Sequence, residues 1–240
     1  MKNFSIPIVY GIHPIYEVIK ARRRRILKVF VLKSIPKNVI SILNIIDKNI
    51  PIFYYTKQQL DNICNSNEHQ GIVIETTNFP YEKYNFDVKK YPLIVLFDKI
   101  QDPRNLGALL RSCFCTNIKC VAITTESSTP LTSSAFKASA GLAESLNIKL
   151  YQSAFMAAKE IAGMGYSLYL SDTDGTEIQN IEPKEKSCIV IGNEGDGITS
   201  SLYSLGDKIS ISQSRKDISY NASVAGGIIM YNFAIKMKLI

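Results

Sequence analysis

The sequence predicts an α/β protein in two parts: a small mixed unit over residues 1–78, a linker over 79–91, and a larger domain over 92–240 built on a mostly parallel sheet. Three observations predict it. Strand-type runs alternate with helix-type segments along the chain, the pattern of sheets covered by helices. Two of the runs, LIVLFD at 93–98 and SCIVIG at 187–192, are continuously apolar, as strands buried on both faces are. Between the two parts, TNFPYEKYNFDVKK at 77–90 mixes turn residues, aromatics and charges without a period. A chain of 240 residues has room for one large domain or two modest ones, each with a core of its own.

In the first part, 15–21 starts a short helix that runs into four successive arginines, Arg22, Arg23, Arg24 and Arg25. LKVFVL at 27–32, rich in β-branched and apolar residues, is a strand. Segments 39–46 and 57–64 read as helices, 52–55 as extended, and GIVIE at 71–75 as the closing strand. In the second part the strand at 93–98 leads into a helix over 105–116, a strand over 119–124 and a helix over 135–143. An extended stretch at 148–151, a helix at 154–164 and a strand at 167–171 follow. The strand at 187–192, a short one at 208–212 and a last helix over 223–236 complete the order. Parallel strands joined by such crossovers need helices on both faces of the sheet.

The composition narrows the function classes. A formal net charge of +7 favours a polyanionic partner, because Lys and Arg release counterions from phosphates. The five cysteines are scattered without a Cys-x-x-Cys pair and only His13 and His69 could join them, which argues against a zinc site. Most of them sit among apolar residues, as reduced core thiols of a cytosolic protein do. The N-terminus MKNFSIPIVYGIHPIYEV lacks the layout of a signal peptide, and no run of about 18 or more uncharged apolar residues appears. The expectation is a cytoplasmic bacterial protein without a membrane segment; an organellar origin stays open, though no transit peptide is evident.

Ligands of open parallel sheets bind at the carboxyl ends of the strands. Three loops there share an unusual composition. DKIQDPRNLGALLRS follows the first apolar strand and sets Asn105 six residues before Arg111. Asn105 is a natural helix N-cap, which puts Arg111 in the second turn. GNEGDGI follows the second strand and places Gly192, Gly195 and Gly197 around Glu194. Glycines there let the backbone turn sharply and approach a flat ligand, although neither the Gly-x-Gly-x-x-Gly fingerprint nor a Walker lysine is present. QSRKDISYNASVAGG follows the third strand and brings Ser219 and Asn221 to a helix start rich in small residues. Taken singly, each loop reads equally well as a tight turn or a helix cap.

In order and spacing the three loops resemble the three motifs of the SpoU (TrmH-like) family of RNA ribose methyltransferases. Asn105, Gly107, Ala108 and Arg111 match the first motif; Gly192, Glu194, Gly195 and Gly197 match the second. The third reads Ile211-Ser212-Gln213, then Ser219-Tyr220-Asn221-Ala222-Ser223-Val224-Ala225, with Ser212 in place of the usual proline and Tyr220 in place of leucine. A further family feature appears as Lys137, Ser139, Ala140 and Gly141. Upstream, VYGIHPIYEVIKARRRRILKVFVL and His69-Gln70-Gly71-Ile72-Val73 resemble the substrate-binding domain of the RlmB-type branch, which acts on guanosine in 23S-type rRNA.

The resemblance implies a trefoil-knotted parallel-sheet catalytic domain of SPOUT type behind an N-terminal domain with a ribosomal-protein L30e-like fold. It implies S-adenosylmethionine as cofactor and a homodimer formed through the knotted region. Backbone groups at Ile191, Gly192, Gly197, Ile211 and Tyr220 would hold the cofactor. Asn105, Arg111, Glu194, Ser219 and Asn221 would form the catalytic wall, with Arg111 sometimes supplied across the dimer. The sulfonium already makes the methyl electrophilic, so the reaction needs no metal; it needs an oriented hydroxyl and a route for its proton. No histidine lies in 93–240. Arginine itself stays protonated, so Arg111 is expected to steer phosphate and hydroxyl while the phosphate assists proton loss. Arg22, Arg23, Arg24 and Arg25 are candidate phosphate contacts in the RNA-binding domain. The expected partner is large-subunit rRNA. The alternatives are a tRNA ribose methyltransferase and, in a different class, a non-catalytic RNA-binding ribosome-assembly protein.

Overall fold

The computed structural model describes residues 7–193, 195–215 and 218–240. Two compact units emerge: Met1–Pro80 together with Pro130–Ser145, and Tyr81–Thr129 together with Leu146–Ile240. The second stretch of the first unit lies in sequence within the region assigned to the larger domain, and it packs with the first eighty residues instead.

The first unit is built on four strands, β1 (Ile8–Tyr10), β2 (Ile26–Leu32), β3 (Ile52–Tyr55) and β4 (Ile72–Thr76), in the order β1-β4-β2-β3. β4 runs antiparallel to both neighbours and β2 parallel to β3. β1 has only three residues, too short for an alternation to register in the sequence. Helices α1 (Ile12–Ala21) and α3 (Lys57–Cys64) lie against this sheet, and α2 (Lys37–Leu43) packs on α1. Thr56 caps α3 and Gln59 answers its backbone N–H, a capping box. The Gly71 N–H donates to Nδ1 of buried His69 at 2.9 Å, so that imidazole holds the turn into β4.

The arginine run does not present one face to solvent. Arg22 and Arg25 are exposed, but Arg24 is 6% exposed and its guanidinium donates to both carboxylate oxygens of Glu144, at 2.7 to 3.1 Å. It also donates to Thr76 Oγ1 and lies near the Phe79 and Phe136 rings. Arg23 donates to the carbonyls of Glu144 and Pro80. Arg24 is therefore corrected from a phosphate contact to a buried tie; four arginines in a row carry no sign of which one turns inward. The Lys137–Gly141 feature belongs to the same arrangement. Lys137 Nζ donates to Gln70 Oε1 at 2.8 Å, and Gly141, at φ +83°, has only 2.5 Å between an added Cβ and the Pro14 backbone.

The second unit holds six parallel strands in the order β10-β8-β9-β5-β6-β7. They are β5 (Leu93–Phe97), β6 (Cys120–Thr124), β7 (Asn147–Tyr151), β8 (Ser167–Glu177), β9 (Ser187–Ile191) and β10 (Asp207–Ser210). β5, β6 and β9 are buried at every residue, as the apolar runs of β5 and β9 predict. Helix α6 (Ala154–Gly163) packs on Ile94, Leu96, Ala122 and Val190. Helices α4 (Pro103–Cys115) and α7 (Ala222–Lys236) lie side by side, with α7 against β9. Their close approach depends on Gly226, where a Cβ would sit 2.4 Å from Leu109 Cδ2. Helix α5 (Ser133–Ala138) belongs to the first unit.

β8 is longer than the expected 167–171. Its first half pairs with β9, and β10 pairs with it at 169–170 and again at 176–177, across a register shift between Lys208 and Ile209. Residues 171–175 therefore have no counterpart on β10 and swing out at the strand's carboxyl end. Gly175 permits the return, because a Cβ there would lie 2.6 Å from the Lys208 backbone.

Four cysteines are buried and Cys115 is exposed. Burial pushes the Cys64, Cys113, Cys120 and Cys188 thiols up, Cys120 to about 12, which suppresses the reactive thiolate. An aromatic disulfide reagent is expected to titrate one thiol rapidly in the native protein and all five after denaturation. A second fast thiol would show that the core opens.

Candidate functional site

The three loops singled out in the sequence follow β5, β9 and β10, and all of them reach one end of the parallel sheet. The chain runs from β5 to β6 on one side, while β9, β8 and β10 lie on the other. The boundary between β5 and β9 is a topological switch point, where a crevice opens.

Each loop is held by local chemistry. In the first, Asp102 caps α4 by accepting from the Arg104 N–H at 2.8 Å, with Pro103 at the first helical position. The cap expected at Asn105 is thus Asp102. The Asp-Pro step sets it, and the helix starts a turn earlier. Asn105 instead faces inward from the first turn, 9% exposed, and Arg111 falls in the third turn. In the second loop, Gly192 has the Gly197 carbonyl 2.4 Å from where a Cβ would stand, and Gly197 itself takes φ +66°. Asn193 Oδ1 accepts from the N–H groups of Gly195 and Asp196, both at 2.7 Å, closing the turn. The far end is pinned by fully buried Asp98, whose Oδ2 accepts from the Thr199 N–H at 2.7 Å. In the third loop, Asn221 caps α7, accepting from the Ser223 N–H and hydroxyl.

Between the second and third of these loops lies a cavity of about 340 Å³. Ile191, Gly192, Gly197, Ile211 and Tyr220 all line it, so the five residues expected to hold a cofactor come together. Ser219 lines it as well. A smaller cavity of about 140 Å³ adjoins it, sharing Asn193, Gly195, Asp196 and Ala222, and carries Asn105 on its wall. Arg111 is exposed on α4 and lines neither cavity. Asn221 is an exposed helix cap outside both linings. Glu194 lies outside the described residues. Ser212, standing for the proline, accepts from Gln179 Nε2 at 2.7 Å.

Sequence reasoning missed the wall supplied by Ser171, Asp172 and Thr173. Burial alone would raise the Asp172 carboxyl, but donation from Tyr203, from the Asp174 N–H and from Lys208 outweighs it and holds the group below the usual carboxylate range. Burial and then the Asp172 charge push the Tyr203 phenol up to about 12. The signal was an acidic residue at a parallel strand's end, in SDTDG. Among the described residues no group of His, Cys, Asp and Glu could hold a metal ion, and no helix is long and apolar enough to cross a membrane.

Backbone at Gly192, apolar surface from Ile191, Ile211, Ala225 and Ile229, and polar groups on the opposite wall make a site shaped for a flat base with a polar appendage. The profile described as SpoU rRNA Methylase family matches residues 92–231. A second, described as RNA 2'-O ribose methyltransferase substrate binding, matches residues 8–82. A 23S rRNA (guanosine-2'-O-)-methyltransferase RlmB of Haemophilus ducreyi is 28% identical over 96% of this chain and 98% of its own length. An uncharacterized tRNA/rRNA methyltransferase of Mycobacterium leprae is 29% identical over 83% of this chain and 67% of its own. Among solved structures, an RNA 2'-O ribose methyltransferase superposes with a TM-score of 0.83 at 15% identity, covering 97% of this chain and 89% of that one. The SpoU methyltransferase AviRb of Streptomyces viridochromogenes, in complex with AdoMet, superposes at 0.78 with 19% identity, covering 97% and 91%.

Proposed function

The chain belongs to the SpoU rRNA Methylase family, and on that premise we propose that it transfers a methyl group from S-adenosylmethionine to a ribose 2′-hydroxyl of large-subunit rRNA, at a guanosine. The observation that carries this reading is the convergence of three loops, distant in sequence, on two adjoining cavities: the second and third loops line the larger, and the first loop meets the second and Ala222 at the smaller. The full-length match to the RlmB protein favours rRNA over tRNA.

S-adenosylmethionine, bound in the larger cavity, supplies an electrophilic methyl. The chain's own residues do the rest. Gly192 and Gly197 keep the backbone free of side chains so that a base can lie against it. Ile191, Ile211 and Tyr220 exclude water from that base. Asn105, in the adjoining smaller cavity, orients the ribose hydroxyl. Arg111 would bind the neighbouring phosphate, whose non-bridging oxygen would take the hydroxyl proton, while the sulfonium would give up its methyl by loss of the S–C bond and leave as the neutral thioether.

Because Arg111 lines neither cavity of its own chain, this reading assigns it to the site of a second copy. Support comes from α7, where Val224, Ile228, Tyr231 and Ile235 are 49%, 37%, 59% and 48% exposed. Their spacing puts them on one helical face, an apolar stripe that a homodimer would cover. The remaining elements of the proposal are a chain threaded as a trefoil knot, an RNA-binding domain over 1–78, and a cytoplasmic setting.

The test presents methyl-labelled S-adenosylmethionine and unmodified transcripts of large-subunit rRNA, small-subunit rRNA and tRNA to the protein. Label is expected on the large-subunit transcript. Label on tRNA alone would keep the chemistry and overturn the substrate. Absence of label with every transcript and with precursor ribosomal particles would favour the ribosome-assembly reading.

A further inference from the structure

We propose that Asp172 reads the ribose of the cofactor, its carboxylate accepting a hydrogen bond from a ribose hydroxyl, which makes it a binding determinant that none of the three motifs contains. The inference rests on the cofactor reading given above and deepens it.

The first observation is placement. The excursion of residues 171–175 from the β8–β10 ladder carries Ser171, Asp172 and Thr173 onto the wall of the larger cavity. The apolar lining from Ile191, Ile211, Ala225 and Ile229 suits the base, which leaves the sugar for the polar wall. A carboxylate at the carboxyl end of a parallel strand is a recurrent device for binding ribose hydroxyls.

The second observation is preorganisation. Asp172 Oδ1 accepts from the Asp174 N–H at 3.1 Å, and Oδ2 lies 3.1 Å from Lys208 Nζ. Tyr203 supplies a third donor, and Lys208 Nζ stands over its ring at 4.4 Å. An ionised carboxylate offers about four acceptor positions. Among the described residues three are used, so the group is fixed in orientation and still able to accept one more hydrogen.

The third observation selects the donor. The methionine end of the cofactor carries an ammonium, which a carboxylate would also attract. Lys208, already at salt-bridge distance, neutralises Asp172 and would repel a second cation at the same oxygens. A neutral hydroxyl meets no such penalty.

Calorimetric titration tests this with wild type and Asp172→Asn against S-adenosylhomocysteine, its 2′-deoxy and 3′-deoxy analogues, and 5′-methylthioadenosine, which lacks the amino-acid tail. Wild type is expected to lose roughly tenfold or more in affinity for one of the two deoxy analogues. Asp172→Asn is expected to lose a similar factor for S-adenosylhomocysteine and for 5′-methylthioadenosine, with the deoxy penalty shrinking to about twofold. Tyr203→Phe, which removes one supporting donor and keeps the carboxylate, is expected to show the same coupling more weakly; it carries the cycle if Asp172→Asn does not fold. An undiminished deoxy penalty in both variants would overturn the proposal. So would a loss seen with S-adenosylhomocysteine and absent with 5′-methylthioadenosine, which would mark an ammonium reader. Failure of wild type to bind any of the four would overturn the cofactor reading itself and this inference with it.

Discussion

Arg111→Ala is expected to lower the methyl-transfer rate by about 10²–10⁴-fold, the range of a lost positioning and proton-transfer group. Affinity for S-adenosylmethionine should stay within about twofold, as expected for a residue that makes no contact with the cofactor. The second half of this expectation follows from geometry. Arg111 is exposed on the third turn of α4 and lines neither cavity of its own chain, so its removal leaves that chain's cavity lining in place. Lysine at the same position is expected to recover only part of the rate, because a point charge cannot grip phosphate in two places as a guanidinium does. Single-turnover kinetics alongside calorimetry separates the two quantities. Mixing Arg111→Ala with Asn105→Ala protein adds a check on the dimer. If Arg111 serves the partner's site, a mixed dimer holds one complete site and regains activity that neither parent has. A fall in cofactor affinity equal to the fall in rate would contradict the assignment.

Arg24→Ala is expected to destabilise the first unit by about 3–5 kcal/mol, a large share of an ordinary domain's stability. The substitution leaves the Glu144 carboxylate fully buried without the guanidinium that takes both its oxygens. It also opens space beside the Phe79 and Phe136 rings. Arg25→Ala, one residue on, removes an exposed side chain and should change stability by no more than about 0.5 kcal/mol. Urea unfolding followed by circular dichroism measures the contrast. Equal midpoints for the two variants would show that the buried pair contributes nothing beyond a surface charge.

The same pair shows where the sequence is silent. A run of four arginines reads as a solvated helix end because nothing local distinguishes Arg24 from its neighbours. Its partner, Glu144, lies 120 residues away on a stretch that groups with the first unit. The parallel sheet was legible for the opposite reason. β5 is apolar at every position and β9 at every position but Ser187, because both faces are covered, and that pattern is local. Gly192 and Gly197 were legible because close backbone approach and positive φ demand glycine. Asn105 was found for its motif but given the wrong local role, since the Asp102-Pro103 step caps the helix first. Asp172 was missed because the register shift that places it depends on pairing with β10, a strand far along the chain. The family resemblance, carried by motif spacing, singled out five residues that line the larger cavity before any geometry did.

The central claim, methylation of a ribose oxygen and not of a base, is tested most directly by the fate of the label in alkali. A 2′-O-methyl group blocks attack of that oxygen on its own phosphodiester. Large-subunit transcript labelled by the protein and hydrolysed in base is therefore expected to yield the label in alkali-stable dinucleotides whose 5′ nucleoside is a methylated guanosine. Label recovered in mononucleotides would place the methyl on a base and contradict the account.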